Sequence, residues 1–208
     1  MKSALIVIDM QNDYLWEKRK PQFRYDTALL VGNVNELIRQ QHAAGQDVIY
    51  IRHIIQNLPT NRLIFGYSLA GTEGAALYSG LEIVSELCFD KYVGDALTNK
   101  ALRERIAAQG YELLRLCGLD ECGCVTATAL GAAKRGLKAE ILRKGTATVF
   151  PEQKVRTAQT RRAGHTGSRH EDCRMRCQRQ PALRAAIRIA PYSLASSLYT
   201  APIMRVTK

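Results

Sequence analysis

Apolar residues in this chain fall into short unbroken runs that alternate with stretches of helical period. Residues 4–8 (Ala-Leu-Ile-Val-Ile) end in a carboxylate, Asp9, which is the pattern of a strand buried on both faces of a parallel sheet. Asp26 can cap a helix over residues 27–44, with Leu29, Leu30, Val34, Leu37 and Ile38 at helical spacing and Gly45 as its stop. A second strand is predicted over residues 47–51. A loop with Gly66, Gly71, Gly74 and Gly80 follows, then a third strand over 82–90 that delivers Lys91. An amphipathic helix over 98–108 stops at Gly110, and a fourth strand covers 111–117. A turn leads into a helix over 124–135, closed by Gly136, and a fifth strand covers 138–142. This alternation predicts an α/β fold: a mostly parallel sheet with helices on both faces, a Rossmann-like three-layer sandwich. Ligands should bind beyond the carboxyl ends of the strands.

The pattern fails after about residue 158. Residues 161–180 hold almost no large apolar side chains, and those after Pro181 show no clear period. A fold of this kind normally closes with a further helix and strand. The segment therefore reads either as that closure or as a poorly ordered tail with too little apolar area to offset chain entropy. We divide the chain into a domain over 1–158 and an atypical basic tail over 159–208, with residues 161–180 expected to be exposed. A sheet left unclosed on this side would expose an apolar edge and favour association, so a homo-oligomer is expected.

With 208 residues, the chain suits one core rather than two. A hydrophobic share of 46% and a charged share of 24% are those of a soluble globular protein, not a disordered one. No apolar run approaches the ~20 residues of a membrane-spanning helix, so the expectation is a cytoplasmic protein without membrane contact. The six cysteines then read as thiols rather than a disulfide scaffold, with Cys88 and Cys117 as buried packing residues.

The net charge of +11 points to an acidic partner only until it is located. After Lys154 eleven basic residues meet two acids, which leaves the rest of the chain nearly neutral. The basic segment lacks aromatic interleaving, so nucleic acid is not the expected partner. His165, His170, Cys173 and Cys177 in this segment match no zinc-finger spacing.

Three side chains reach one edge of the predicted sheet: Asp9 after the first strand, Lys91 after the third, and Cys124 at a helix entrance. Alone, each has a plain reading as a cap, a surface charge or a packing thiol. Together they make an acid–base pair around a nucleophile. A helix N-terminus and a nearby ammonium favour a thiolate, and a carboxylate can accept the thiol proton and return it to a leaving group.

Residues 8–14 (Ile-Asp-Met-Gln-Asn-Asp-Tyr) resemble the DMQNDF opening of isochorismatase-like cysteine hydrolases. That group includes nicotinamidases, N-carbamoylsarcosine amidases and ureidoacrylate hydrolases. Residues 71–74 (Gly-Thr-Glu-Gly) resemble their PGT-x-G loop, with Ala70 in place of proline. Lys91 matches their strand-end lysine, and residues 118–129 with Gly136 match the segment that carries their nucleophile. The resemblance spans about residues 3–150. It implies a triad of Asp9, Lys91 and Cys124 that cleaves an amide or related C–N bond of a small-molecule substrate through a thioester. It further implies a cis Leu119–Asp120 peptide, an oxyanion hole from the Asp120 and Cys124 N–H groups, and Gln11, Tyr14 and Tyr92 as substrate-binding residues.

Two departures bear on specificity. Nicotinamidases hold a metal with an Asp and three His, whereas residues 50–53 here read Tyr-Ile-Arg-His with no second His nearby, so no metal or other cofactor is expected. Residues 94–97 read Gly-Asp-Ala-Leu where many members have Y-S-A-F, which alters a pocket wall. Cys122 reads as a pocket-lining thiol. Competing readings are vinyl-ether hydrolysis, a non-catalytic or oligomer-forming member of the fold, and a tail-mediated binder of nucleic acid or membrane surface.

Overall fold

The computed structural model of the chain describes residues 1–150 and the strand 187–190. Its elements run β1 (Ser3–Ile8), α1 (Asn12–Leu15), α2 (Thr27–Ala43), β2 (Asp47–His53), α3 (Pro59–Ile64), β3 (Cys88–Lys91), α4 (Lys100–Gln109), β4 (Leu113–Gly118), α5 (Thr126–Lys134), β5 (Lys138–Thr146) and β6 (Ile187–Ala190). A π-helical turn over Glu121–Val125 leads into α5. The strands form one sheet in the order β3-β2-β1-β4-β5-β6, and every pairing is parallel. β1 therefore lies at the centre, which is why its residues are buried without alternation.

The two faces of β1 feed two cores. Ala4, Ile6 and Ile8 pack with Leu102 and Ile106 of α4 and Ala129 and Ala132 of α5. Leu5 and Val7 pack with Leu30, Val34 and Ile38 of α2 on the opposite side. This makes the three-layer α/β sandwich, with helices on both faces. No helix among the described residues is long and apolar enough to cross a membrane.

Several boundaries differ from the sequence expectation for local reasons. Strand β3 begins at Cys88 rather than at residue 82. The stretch before it is tied to β2 by side chains instead of a ladder: Ser85 Oγ donates to the Val48 carbonyl at 2.5 Å, and the Tyr50 hydroxyl donates to the Glu82 carbonyl at 2.8 Å. The helix expected from residue 98 starts at Lys100, because Asn99 Oδ1 accepts from Leu102 N–H at 2.9 Å and caps it there. Cys88 is exposed, not buried, since β3 is the sheet edge; Cys117, on β4, is fully buried. β6 had no counterpart among the expected elements: four residues amid arginines are too few to show a period. It extends the sheet beside β5, with Ala139 opposite Ile187. The expected exposure of residues 161–180 and the His/Cys group at 165–177 lie outside the described residues.

Where the chain returns from α3 and β3 to α4 and β4, the strand order reverses between β1 and β4. Loops leaving these two strands diverge and leave a crevice at the carboxyl edge. Gly118 closes β4 with φ +103, and a Cβ there would lie 2.1 Å from the Ile8 carbonyl oxygen. Gly118→Ala is expected to cost about 3 kcal/mol, read as a drop in the midpoint of chemical denaturation, because the clash is with backbone that cannot yield.

Candidate active site

Asp9, Lys91 and Cys124 meet in that crevice. Asp9 follows β1 with φ +55, a region that Asp tolerates better than most residues, and its N–H donates to the Ile51 carbonyl at 2.9 Å. This turn ends the β1 ladder and directs the carboxylate along the sheet edge. Lys91 is the last residue of β3, two strands away. Its ammonium lies 2.9 Å from Asp9 Oδ2 and 3.0 Å from Cys124 Sγ, with its side chain wholly buried. Among the described residues Asp9 Oδ1 is a buried acceptor without a hydrogen-bond partner.

Burial alone would lower the Lys91 ammonium, but Asp9 and Cys124 outweigh it and hold the group above its usual range. Burial and then the Asp9 charge push the Cys124 thiol up to about 12, and Lys91 only partly offsets them. The helix end and Lys91 favour ionisation of this sulfur, but burial and the Asp9 charge act more strongly in the opposite direction. Taking charge out of water outweighs one ammonium that is already neutralised by a carboxylate.

Cys124 sits in the π-helical turn after the cis Leu119–Asp120 peptide. The Asp120 carboxylate organises this turn. Its Oδ1 accepts from Cys122 N–H at 2.8 Å, and its Oδ2 accepts from Val149 N–H at 2.8 Å and from the Tyr25 hydroxyl at 3.2 Å. Burial raises its pKa against these hydrogen bonds. The Asp120 N–H itself donates to no acceptor among the described residues.

Two of the three residues expected to bind substrate have their polar atoms engaged within the protein. Gln11 is fully buried, and its amide is committed to backbone: Nε2 donates to the His53 and Ala75 carbonyls at 3.0 and 2.8 Å, and Oε1 accepts from His53 N–H at 2.8 Å. It ties the end of β2 to the loop that resembles PGT-x-G. Tyr14 has its hydroxyl between Ser68 Oγ at 2.8 Å and His53 Nδ1 at 3.2 Å, which ties α1 to the end of β2. Tyr92 does face open space, in a cavity of about 440 Å³ that it shares with His53, Tyr67 and Phe65.

His53, Tyr25 and Tyr67 were not singled out by sequence reasoning as part of a pocket. Burial and then the Lys91 charge lower the His53 pKa, which keeps its ring neutral near neutral pH. Burial raises the Tyr67 and Tyr25 hydroxyls above their usual range, and the Asp120 carboxylate adds to the rise at Tyr25. Tyr14, Phe23 and Tyr67 meet edge to face or tilted, with centroids 4.8 to 5.8 Å apart. Their only sequence signal was aromatic residues in loops that are otherwise polar. Arg52, where a metal-binding pattern would need an acid or His, instead forms a two-point ion pair with Asp90 at 2.8 and 3.1 Å. Among the described residues no three His, Cys, Asp or Glu side chains are grouped so that they could hold a metal ion.

Solved structures share the fold. Nicotinamidase from Bacillus subtilis superposes with a TM-score of 0.62 at 24% identity, over 73% of this chain and 90% of its own. N-carbamoylsarcosine amidase from Thermoplasma acidophilum gives 0.63 at 23% identity, over 76% and 92%. An isochorismatase-like hydrolase from Alkaliphilus metalliredigens gives 0.67 at 19% identity, over 91% and 94%. An uncharacterised isochorismatase family protein of Bacillus subtilis (strain 168) is 25% identical over 149 residues, 71% of this chain and 79% of that protein. The isochorismatase domain model matches residues 3–169, a span that takes in β1 through β5 and all three residues of the buried cluster. The chain belongs to the isochorismatase family.

Proposed function

We propose that this protein is a cysteine hydrolase that cleaves an amide or related C–N bond of a small molecule, with Cys124 as nucleophile, Asp9 as general base and Lys91 as the charge that couples them. The observation that carries this reading is the buried Lys91 ammonium, 2.9 Å from Asp9 and 3.0 Å from Cys124. A lysine that served only packing would not be buried against both a carboxylate and a thiol, given what its desolvation costs.

In the reaction the thiol attacks the substrate carbonyl as its proton passes to Asp9. Burial and the Asp9 charge push the thiol up to about 12, so its proton leaves as sulfur bonds to the carbonyl carbon. The negative charge moves from the carboxylate through sulfur to the carbonyl oxygen, and Lys91 stays within reach of the first two sites. The Asp120 N–H, which donates to no acceptor among the described residues, and the Cys124 N–H are the donors for the oxyanion. Collapse expels the amine, which takes the proton back from Asp9. Water then hydrolyses the thioester, with Asp9 again as base.

The test is a panel of small amides, ureido acids and vinyl ethers, assayed with the wild type and Cys124→Ala. At least one C–N substrate should be turned over, with kcat/KM lowered by at least about 10³-fold in the variant. Turnover that survives Cys124→Ala would exclude the cysteine mechanism. Turnover confined to vinyl ethers would exclude the C–N assignment.

A further inference from the structure

Residues 16–26, between α1 and α2, form neither helix nor strand, and one side chain gathers them. Half-buried Arg19 donates from Nε to the Phe23 carbonyl at 2.7 Å, from Nη1 to the Leu15 and Trp16 carbonyls at 3.1 and 2.9 Å, and from Nη2 to the Tyr25 carbonyl at 3.2 Å. Carbonyls from both ends of the segment thus share one planar fork of donors, a geometry that lysine does not supply. Tyr25 is buried, its ring stacks on Phe23 with centroids 6.5 Å apart, and its hydroxyl donates to Asp120 Oδ2 at 3.2 Å. Asp120 in turn holds the turn that carries the sulfur. Its carboxylate accepts from Cys122 N–H at 2.8 Å, and its carbonyl accepts from Gly123 N–H at 2.9 Å and Val125 N–H at 3.1 Å. These bonds fall on both sides of Cys124. Contacts therefore run without a gap from the Arg19 guanidinium, through Tyr25 and Asp120, to the nucleophile turn.

We propose that Arg19 and Tyr25 are positioning residues for the nucleophile: Arg19 shapes residues 16–26 so that the Tyr25 hydroxyl reaches Asp120, and that bond fixes the turn carrying Cys124. The consequence for catalysis rests on the hydrolase reading above; the coupling between segment and turn does not. Regular helix begins only at Thr126, and Gly123 departs from helical dihedrals at φ −109 and ψ −109, so the backbone around the sulfur depends on anchors outside the turn. The Asp120 carboxylate receives two of them on Oδ2: Val149 N–H from the chain beyond β5, and the Tyr25 hydroxyl from the segment before α2. A hydrogen bond to an ionised acceptor is among the stronger ones. Displacement of a reacting group by about 1 Å can cost about 10²-fold in rate, so a fraction of that shift at Asp120 is enough to be measured. It would move the sulfur together with the N–H groups proposed for the oxyanion. Those groups act as charge develops, so the loss falls on kcat rather than on substrate affinity.

The test is a double-mutant cycle in the full-length protein, combining Tyr25→Phe, which removes only the hydroxyl, with Arg19→Gln. 4-Nitrophenyl acetate serves as the acyl donor, and hydrolysis by Cys124→Ala is subtracted as background. Tyr25→Phe should lower kcat about tenfold and change KM less than about twofold. Arg19→Gln should lower kcat about fivefold alone but less than about 1.5-fold on top of Tyr25→Phe, because its effect passes through that hydroxyl. Amide hydrogen exchange over residues 119–126, read by mass spectrometry, should quicken about fivefold in each single variant and no further in the double. Equal losses from Arg19→Gln in both backgrounds, or a loss that falls on KM, would overturn the proposal. So would Tyr25→Phe with unchanged kcat and unchanged exchange. Tyr25→Phe keeps the buried ring, so its result stands even where Arg19→Gln lowers the melting temperature. A wild type without Cys124-dependent hydrolysis would count against the hydrolase reading, and the exchange coupling would then decide the proposal by itself.

Discussion

Asp9→Asn is expected to lower kcat/KM by about 10³-fold while making the Cys124 thiol easier to ionise. The two effects have opposite signs because Asp9 acts on the sulfur in two ways. As a base it removes the proton during attack, and loss of a positioned base costs about 10²–10⁴-fold. As a buried negative charge it is, after burial itself, the largest cause holding the thiol pKa up at about 12. Asparagine keeps the shape and removes both roles, which leaves Lys91 opposed to sulfur without a competing anion. Iodoacetamide labelling measured against pH should therefore shift to lower pH in the variant, even as turnover collapses. Lys91 loses its partner at 2.9 Å as well, so thermal melting should accompany the assay to show that the folded fraction is being compared. A labelling profile moved to higher pH, or retained activity, would remove Asp9 from the mechanism.

Stability should fall steeply in alkali, by several kcal/mol between about pH 9 and 12. The sign follows from proton binding. Cys124 ionises near its ordinary 9.0 when unfolded and only at about 12 when folded, so over that window the folded state holds a proton the unfolded state has lost. That group alone withdraws about 4 kcal/mol by pH 12. Burial raises Cys117 as well, and Tyr14 and Tyr25 join above their ordinary 10.0, each raised first by burial and then by a nearby carboxylate. Lys91, raised by Asp9 against the cost of burial, adds a loss in the same direction above its ordinary 10.5. Urea denaturation at a series of pH values should show this decline. Cys124→Ser, which cannot ionise in that range, should reduce the slope by about 1.4 kcal/mol per pH unit near pH 10.5. An unchanged slope would mean that the thiol is not shielded in the folded protein.

How far the site could be read from sequence differs residue by residue. Asp9 and Lys91 were legible because each ends a strand, and strand ends show in a local apolar run. Cys124 was legible from a glycine-flanked turn and a small-residue helix. Gln11 and Tyr14 lie in the same motif as Asp9 and were expected to touch substrate. Their polar atoms instead serve His53, Ala75 and Ser68, residues some 40 to 64 positions away. A motif marks which residues matter together but not which partners their polar atoms take in the folded chain.

By itself the sequence determined the alternation of strands and helices, the helix stops at Gly45 and Gly110, and the three residues that carry the proposed chemistry. These depend on periodicity and on turn residues, which act over a few positions. Tertiary structure alone decided the strand order, which sets β1 and β4 side by side and opens the crevice between them. It decided that the Cys124 thiol is pushed up, because desolvation and the Asp9 charge act through space across the site. It also assembled the aromatic cavity from residues 53–67 and Tyr92, and added β6 to the sheet from a stretch with no period of its own. Burial and Coulomb interactions depend on distances in the folded chain, and those distances are written in no short stretch of the sequence.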